Sequence, residues 1–376
     1  MDHFIARGGR ELRLGYTTGT CAALAAGAAA RMLLTGRPET TCALTTPKGI
    51  RVEAALHETV ILADEARCAV RKDAGDDPDA TDGILVHAAV RRISGEGISI
   101  DGGEGVGRVT RPGLDQPVGA AAINSVPRMM IEREIAAACE EFGYRGGMAV
   151  VVSIPGGEAI AAKTFNPRLG IVGGLSVIGT SGVVEPMSTQ ALLDTLRVEM
   201  NVLRAGGVAD LILTPGNYGE AFLRTMPDIA RRPHVKCANF IGESLDMAAA
   251  AGFGSVLLVG HLGKLVKLAG GVMDTHSRVA DCRMELLALH AALAGSGRPE
   301  LLRILESATV DDAMATLGGL RDAVVAGLLE RAESYVLRRT GGALSAGIVV
   351  FSNRLGLLGT SPGAAALLEK WEDTVG

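Results

Sequence analysis

GIVGGLSVIGTSGVVEPMS (residues 170–188) is the stretch from which the rest of the chain is read. Residues 175–178 have the apolar composition of a short buried strand. Gly179-Thr180-Ser181-Gly182 then interrupts it with small residues, and Ser188 is placed to cap the helical pattern over 189–204. A strand, a small-residue loop and a helix in that order present backbone N–H groups to an anionic or polar ligand. The texture of the chain also changes here. Before it, strand-like segments turn back on one another; after it, strands and helices alternate. The stretch is read as the entrance to a cofactor domain and as half of an active cleft.

Working outward toward the C-terminus, residues 175–178, 209–214, 235–240 and 255–259 read as strands. Residues 189–204, 219–226, 243–251, 263–269, 277–294, 309–318 and 321–338 read as helices. That alternation argues for a parallel sheet with right-handed crossovers. The expected fold class of residues 166–376 is a Rossmann-like parallel α/β domain with helical additions. A late strand at 347–352 can pair with either sheet. Toward the N-terminus, an alanine-rich helix runs to about Leu34, with Thr17 or Thr18 as its cap. Strands follow at 41–45, 51–57, 59–63, 66–72, 84–93 and 98–100, then a helix at about 124–142. Segments 148–154 and 158–164 flank Pro155-Gly156-Gly157, a hairpin signal. Residues 1–165 are therefore expected to form an α+β domain with a mixed or antiparallel sheet.

At 376 residues the chain has room for two cores. Hydrophobic residues make up 48% and charged residues 21%, a soluble and globular balance. Aromatics are only 3% against 50 glycines, so backbones can approach each other closely. A net charge of −5 and the lack of a basic stripe argue against nucleic-acid binding. The longest apolar run, 22–34, contains Arg31 and is too short to span a membrane. The N-terminus is charged and has no signal-peptide core. Six isolated cysteines without a CxxC fit a reducing cytoplasm and no structural zinc, and no metal site is expected. Nothing here excludes a homo-oligomer.

In an open parallel sheet, ligands bind beyond the carboxyl ends of the strands. The unusual residues lie at those ends: Gly179, Thr180, Ser181 and Gly182; Thr214, Gly216 and Asn217; Gly242-Glu243-Ser244; and Gly260, His261 and Lys264. Turn chemistry alone also favours such residues. Asp274 and His276 follow two glycines and have the types of a general base and its orienting partner, with a simple helix start as the alternative. Backbone N–H groups near Gly19 and Thr20, beside Thr17 and Thr18, are expected to be free for a ligand. Asp73 belongs to an acidic loop, 73–83, that either is solvated or faces a cationic group. Arg108, Arg111, Lys163, Arg168 and Lys264 would together suit a substrate with several carboxylates. Gly103-Glu104-Gly105-Val106-Gly107 matches a nucleotide-loop pattern, but Arg111-Pro112-Gly113 stands where a helix would have to start, so it reads as a turn or substrate loop. Cys21 has no adjacent histidine and is not read as a nucleophile.

Several of these stretches together resemble a known family. GYTTGTCAA (15–23), KDAGDDPDATDG (72–83), GEGVGRVTRPGL (103–114), FNPRLGIVGGLSVIGTSGVVEPMS (165–188), LTPGNYG (213–219) and GHLGKLVKLAGGVMDTHS (260–277) are similar to the CbiD family of cobalt-precorrin-5B C1-methyltransferases. The resemblance runs in order from about residue 10 to 365. It implies methylation of C-1 of a carboxylate-rich tetrapyrrole, cobalt-precorrin-5B, by S-adenosyl-L-methionine, giving cobalt-precorrin-6A in cobalamin biosynthesis. Gly179, Thr180, Ser181, Gly182, Thr214, Gly216, Asn217, Gly260 and His261 then become expected donor contacts. Thr17 to Thr20, Asp73, Lys264 and the four other cations become expected substrate contacts. Two rival classes are a small-molecule kinase-like enzyme, from the first loop and helix, and a non-catalytic carrier of a corrinoid intermediate.

Overall fold

The computed structural model describes residues 3–227 and 229–372. The chain divides into two compact units, Met1–Thr189 and Gln190–Gly376. The boundary therefore falls after residue 189, not after 165 as the change of texture implied. Residues 166–188 belong to the first unit because their backbone bonds there. Leu175 and Val177 form parallel bridges to Val106 and Ile123, Ile171–Val172 pairs with Arg108–Val109, and Val183–Val184 pairs with Gly15–Tyr16.

The first unit is built on a six-stranded sheet in the order Thr41–Thr45, Arg51–Ile61, Glu65–Arg71, Leu85–Ile93, Gly147–Ser153, Ile98–Gly102. All neighbours are antiparallel except the last pair. The helix Thr18–Thr35 packs against this sheet and against the helix Ser125–Glu141. It is alanine-rich and buried almost all round, as a helix enclosed by a core must be. Thr17 caps it and Gly36 ends it in a left-handed conformation. The expected hairpin at 148–164 is corrected. After Gly147–Ser153 the chain forms a short helix, Gly157–Ala161, because Gly156 is left-handed and Glu158 sits in the first turn. Residues 51–57 and 59–63 are one bulged strand.

The acidic loop faces cations and backbone N–H groups through several of its carboxylates, while Asp76, Pro78, Ala80 and Asp82 are exposed. Arg13 grips Asp73 with two hydrogen bonds of 2.5 and 2.7 Å, and Asp82 accepts from the Ala74 N–H at 2.8 Å. Asp76 accepts from the Arg13 N–H, and Asp77 from the Met187 N–H. Lys72, only 3% exposed, donates to Asp79 at 2.6 Å. The Arg13 hydrogen bond lowers the pKa of Asp73 despite partial burial. For Asp79, desolvation opposes ionisation, but Lys72 and the Thr81 donors bring the net shift below the ordinary value. Depressed folded values mean that both carboxylates stabilise the unit above their unfolded pKa, about 4. That stability is lost as pH falls through the folded values. Asp79→Asn leaves Lys72 buried without a counter-charge and is expected to cost about 3 kcal/mol. Urea unfolding of the variant at neutral pH checks this; a loss below about 1 kcal/mol would show that the pair contributes little.

The second unit holds a five-stranded sheet in the order His234–Lys236, Asp210–Thr214, Ser255–His261, Ser345–Ser352, Gly356–Thr360. The first four strands are parallel and the last is antiparallel. The late strand thus pairs here. Alternate residues bury on opposite faces. Leu211, Leu213, Val256, Leu258, Ile348 and Val350 join one core, while Ile212, Leu257, Val259, Val349 and Phe351 join another. Helices Ile241–Ala250 and Arg321–Thr340 contribute to the first core; Tyr218–Leu223 and Pro362–Glu372 contribute to the second. Helices therefore cover both faces of the sheet. Residues 175–178 take no part in this sheet, a correction to the expected strand set. Among the described residues no helix is long and apolar enough to cross a membrane.

Candidate functional site in the second unit

The strand order places Asp210–Thr214 between His234–Lys236 and Ser255–His261, so the chain passes over the sheet at this point. Ligand crevices form at such a switch, outside the carboxyl ends of the strands. Beyond Thr214 the chain turns through Gly216, with φ of 81°. Lys264 fills the space over Gly216, its Nζ 3.0 Å from where a Cβ would stand. Lys264 also donates to Asn239 Oδ1 at 2.7 Å and to the Ala238 carbonyl at 3.4 Å. Lys236 donates to Asn217 Oδ1. Three strand-end loops thus meet through two lysines.

Burial lowers the pKa of Lys264, opposed in part by Asp274 and made stronger by Lys236 and Lys267. Burial raises the Cys237 thiol to about 12, so it stays neutral beside them. Ala238, a non-glycine residue, has φ of 53° and sits at the same loop. Such strain persists where its surroundings hold it and gathers at functional sites. The hydroxyls of Thr214 and Thr275 are buried without a protein partner, each at a cost on the order of 1–3 kcal/mol.

His261 accepts the Gly263 N–H at its Nδ1, 3.0 Å away. Its neutral form therefore carries the hydrogen on Nε2. Burial lowers its pKa, with Asp311 acting weakly against that, so the ring is neutral at neutral pH. Tyr218, 60% exposed, has its ring 6.2 Å from that of His261, and Phe351 meets the histidine edge-on at 5.8 Å. Gly260 lies against Pro215 and Leu265.

Asp274 and His276 lie next to this crevice in the chain, but each side chain bonds to backbone and not to the other. Asp274 Oδ1 accepts the His276 backbone N–H at 2.9 Å, and His276 Nδ1 accepts the Arg278 N–H at 3.1 Å. Both side chains serve the local turn. Asp274 does not orient the imidazole, and His276 is exposed. Buried Lys267 fixes this segment through the carbonyls of Thr275 and Ala280.

The remaining expected donor loop, Gly179 to Gly182, lies in the first unit, where the flanking Ile178 carbonyl and the Gly182 carbonyl are taken up by the start of the first helix. Gly19 N–H donates to the Ile178 carbonyl at 3.0 Å, Thr20 N–H to Thr17 Oγ1 at 3.2 Å, and Thr20 Oγ1 to the Gly182 carbonyl at 2.5 Å. Thr18 Oγ1 exchanges bonds with the Ile178 backbone. The expectation of free N–H groups near Gly19 and Thr20 is thus corrected, and the phosphate-loop basis of the kinase reading goes with it. Ser181 bonds Val183, while Thr180 is exposed. Asp73 is taken by Arg13, and Arg108 is paired with Asp101 and the Gly102 carbonyl. Arg111 donates to the Arg168 carbonyl at 3.3 Å, and Arg168 lies over the Phe165 ring at 5.9 Å. Lys163 is exposed. Cys21 is fully buried and burial pushes its thiol pKa up, away from any nucleophilic role.

Sequence reasoning missed Lys236 and Asn239, and named Tyr218 only as part of the strand-end stretch 214–219. The strand was read through to residue 240, which hid the end at Lys236 and the loop Cys237-Ala238-Asn239. The Asn217-Tyr218 step in LTPGNYG was the available signal.

The family model described as CbiD matches residues 5–186, and the one described as CbiD, C-terminal domain matches residues 274–362. A protein of Ruminiclostridium cellulolyticum named cobalt-precorrin-5B C(1)-methyltransferase is 45% identical over 94% of this chain and 92% of its own length. One of the same name from Alkaliphilus metalliredigens is 40% identical over 98% and 97%. A crystal structure of the cobalamin biosynthesis protein (cbiD) from Archaeoglobus fulgidus is 30% identical, covers 74% of this chain and 86% of its own, and has a TM-score of 0.40.

Proposed function

This chain belongs to the CbiD family, and from that premise we propose how it methylates C-1 of cobalt-precorrin-5B in cobalamin biosynthesis. The methyl donor is S-adenosyl-L-methionine, bound over the carboxyl ends of the second unit's parallel strands. The observation that carries this is the left-handed turn at Gly216 under Lys264, with the unpartnered Thr214 hydroxyl at its base. The residues fit the group. Lys264 suits the donor's carboxylate. Asp274 is near enough to raise the pKa of Lys264 and suits the ammonium. Tyr218 and His261 offer ring faces to the adenine. The two-faced parallel sheet supports the Rossmann-like reading of this unit.

When bound, S-adenosylmethionine supplies a methyl group on a sulfonium. The chain's part is to hold, orient and keep water away, the usual share of a protein in a displacement. Lys264, itself fixed by Asn239, locates one end of the donor. His261 stays neutral and brings no extra positive charge to a cationic donor. In the first unit, Arg111, Lys163 and Arg168 are proposed for the acceptor's carboxylates. A cytoplasmic location belongs to the same reading and is supported by six free cysteines.

His276 is expected to be dispensable. Single-turnover transfer of labelled methyl to purified cobalt-precorrin-5B should give His276→Ala a rate within about threefold of wild type, because its Nδ1 is engaged in the turn. A drop of about 10² or more would restore a general-base role. In the same assay, a wild-type protein that binds the tetrapyrrole without transferring label would be a carrier, and the proposal would fail.

A further inference from the structure

The reading above leaves the resting place of the acceptor's ring unassigned, and the following inference rests on that reading. The six-stranded sheet buries one face under two helices and presents the other outward. Its register sets the outward side chains in rows. Val60, Arg67, Ala89 and Val151 form one row across four strands, with Ala69 and His87 in the next. An open cavity of about 580 Å³ lies over this patch, bounded by Glu58, Arg67 and His87. Its floor of Val60, Ala89 and Val151 is low and apolar, so it admits a flat ring face rather than a branched chain.

The charge around the floor is also specific. Arg67 and Arg91 are exposed on the same face; Arg91 stands opposite Glu65 in the register, while Arg67 has no ion-pair partner among the described residues. Glu58, on the rim of the same cavity, would oppose an anion there. It sits at φ of 51° in a bulge that shifts the register between His57 and Val60, and its carboxylate lies 3.7 Å from His87 Nε2. Bulges of this kind re-aim a side chain and gather near functional sites. The bulge thus sets the Glu58 carboxylate beside His87 and leaves Arg67 without an ion-pair partner beside an apolar floor.

We propose that this sheet face binds the macrocyclic acceptor, a flat tetrapyrrole with several carboxylates. The ring rests on Val60, Ala89 and Val151, and carboxylate arms reach Arg67 and Arg91. A guanidinium pairs with a carboxylate in a fork geometry, which orients the ring as well as holding it.

The test is a visible-absorbance titration of the full-length protein with diaquacobyrinic acid, a stable cobalt corrinoid bearing free carboxylates. Arg67→Glu and Val151→Trp alter exposed positions, and unchanged thermal melting would confirm that both fold. Each is expected to weaken binding about tenfold or more, while affinity for S-adenosylhomocysteine stays as in wild type. The methyl ester of the corrinoid should bind more weakly than the acid. Equal affinities in wild type and both variants, or no binding of the acid by wild type, would overturn the assignment. The methyl-transfer assay decides the underlying reading separately. If wild type transfers methyl and both variants keep their affinity and KM, this surface is wrong and the reading stands. If wild type transfers none, the reading fails whatever the titration gives.

Discussion

Gly216→Val should lower the affinity for S-adenosylhomocysteine by about a hundredfold or more. Gly216 has φ of 81°, a region that β-branched residues scarcely enter. Holding valine there costs on the order of 1–3 kcal/mol, so the loop relaxes to another conformation. Lys264 must also shift to admit that branch, with its Nζ 3.0 Å and Cε 3.3 Å from the Cβ position. The variant therefore moves both the backbone and the cation that are assigned to the donor. Gly216→Ala brings less bulk and should lose less. Calorimetry with S-adenosylhomocysteine checks both, beside thermal melting to show that the second unit remains folded. An unchanged dissociation constant for the valine variant would remove this loop from the donor site.

The second large effect is on stability and belongs to the glycine-rich segment Gly103 to Gly107. Gly105 has φ of 69°, and a Cβ on it would overlap the Ile154 carbonyl oxygen. Its own carbonyl accepts the Leu175 N–H at 2.9 Å, and the backbones of Gly157 and Gly174 crowd the same point. This is a crossing of three chain segments inside the first unit, not a nucleotide loop. Gly105→Ala should cost about 4 kcal/mol or more, the size reserved for a direct backbone conflict. Urea unfolding would show the first unit losing its transition or shifting it far down. A loss under about 1 kcal/mol would mean that the crossing can open without harm.

The parts of the fold legible in the sequence were those with a long or strongly patterned signal. The alanine-rich helix was legible because Thr17 caps it and Gly36 stops it. The parallel strands Asp210–Thr214 and Ser255–His261 were legible as short apolar runs between helices. Residues 175–178 carry the same kind of apolar run, yet they bridge to Val106 and Ile123 in the first unit. Local composition does not say which sheet a short strand joins. The same ambiguity made 158–164 read as a strand when Gly157–Ala161 is helical.

The site divides in the same way. Thr214, Gly216, Asn217, Gly260 and His261 were expected as donor contacts because strand ends can be counted from the pattern, whereas Lys264 was expected at the substrate and is now proposed for the donor. Gly179 to Gly182 looked equivalent in composition, but the Ile178 and Gly182 carbonyls meet the start of the first helix. Whether a loop's backbone groups are engaged depends on a partner distant in sequence, here Thr17 to Thr20. Arg67, His87 and Glu58 gave no motif at all. They come together through strand register and one bulge, which no local spacing reveals.

The most direct measurement is a crystal structure of the protein with S-adenosylhomocysteine. Ligand density is expected over the carboxyl ends of strands Asp210–Thr214 and Ser255–His261, with the ligand carboxylate in hydrogen-bond reach of Lys264 and its backbone contact at Gly216. Density instead at Gly179 to Gly182 or elsewhere in the first unit, with Gly216 and Lys264 bare, would contradict the assignment of the donor to the second unit.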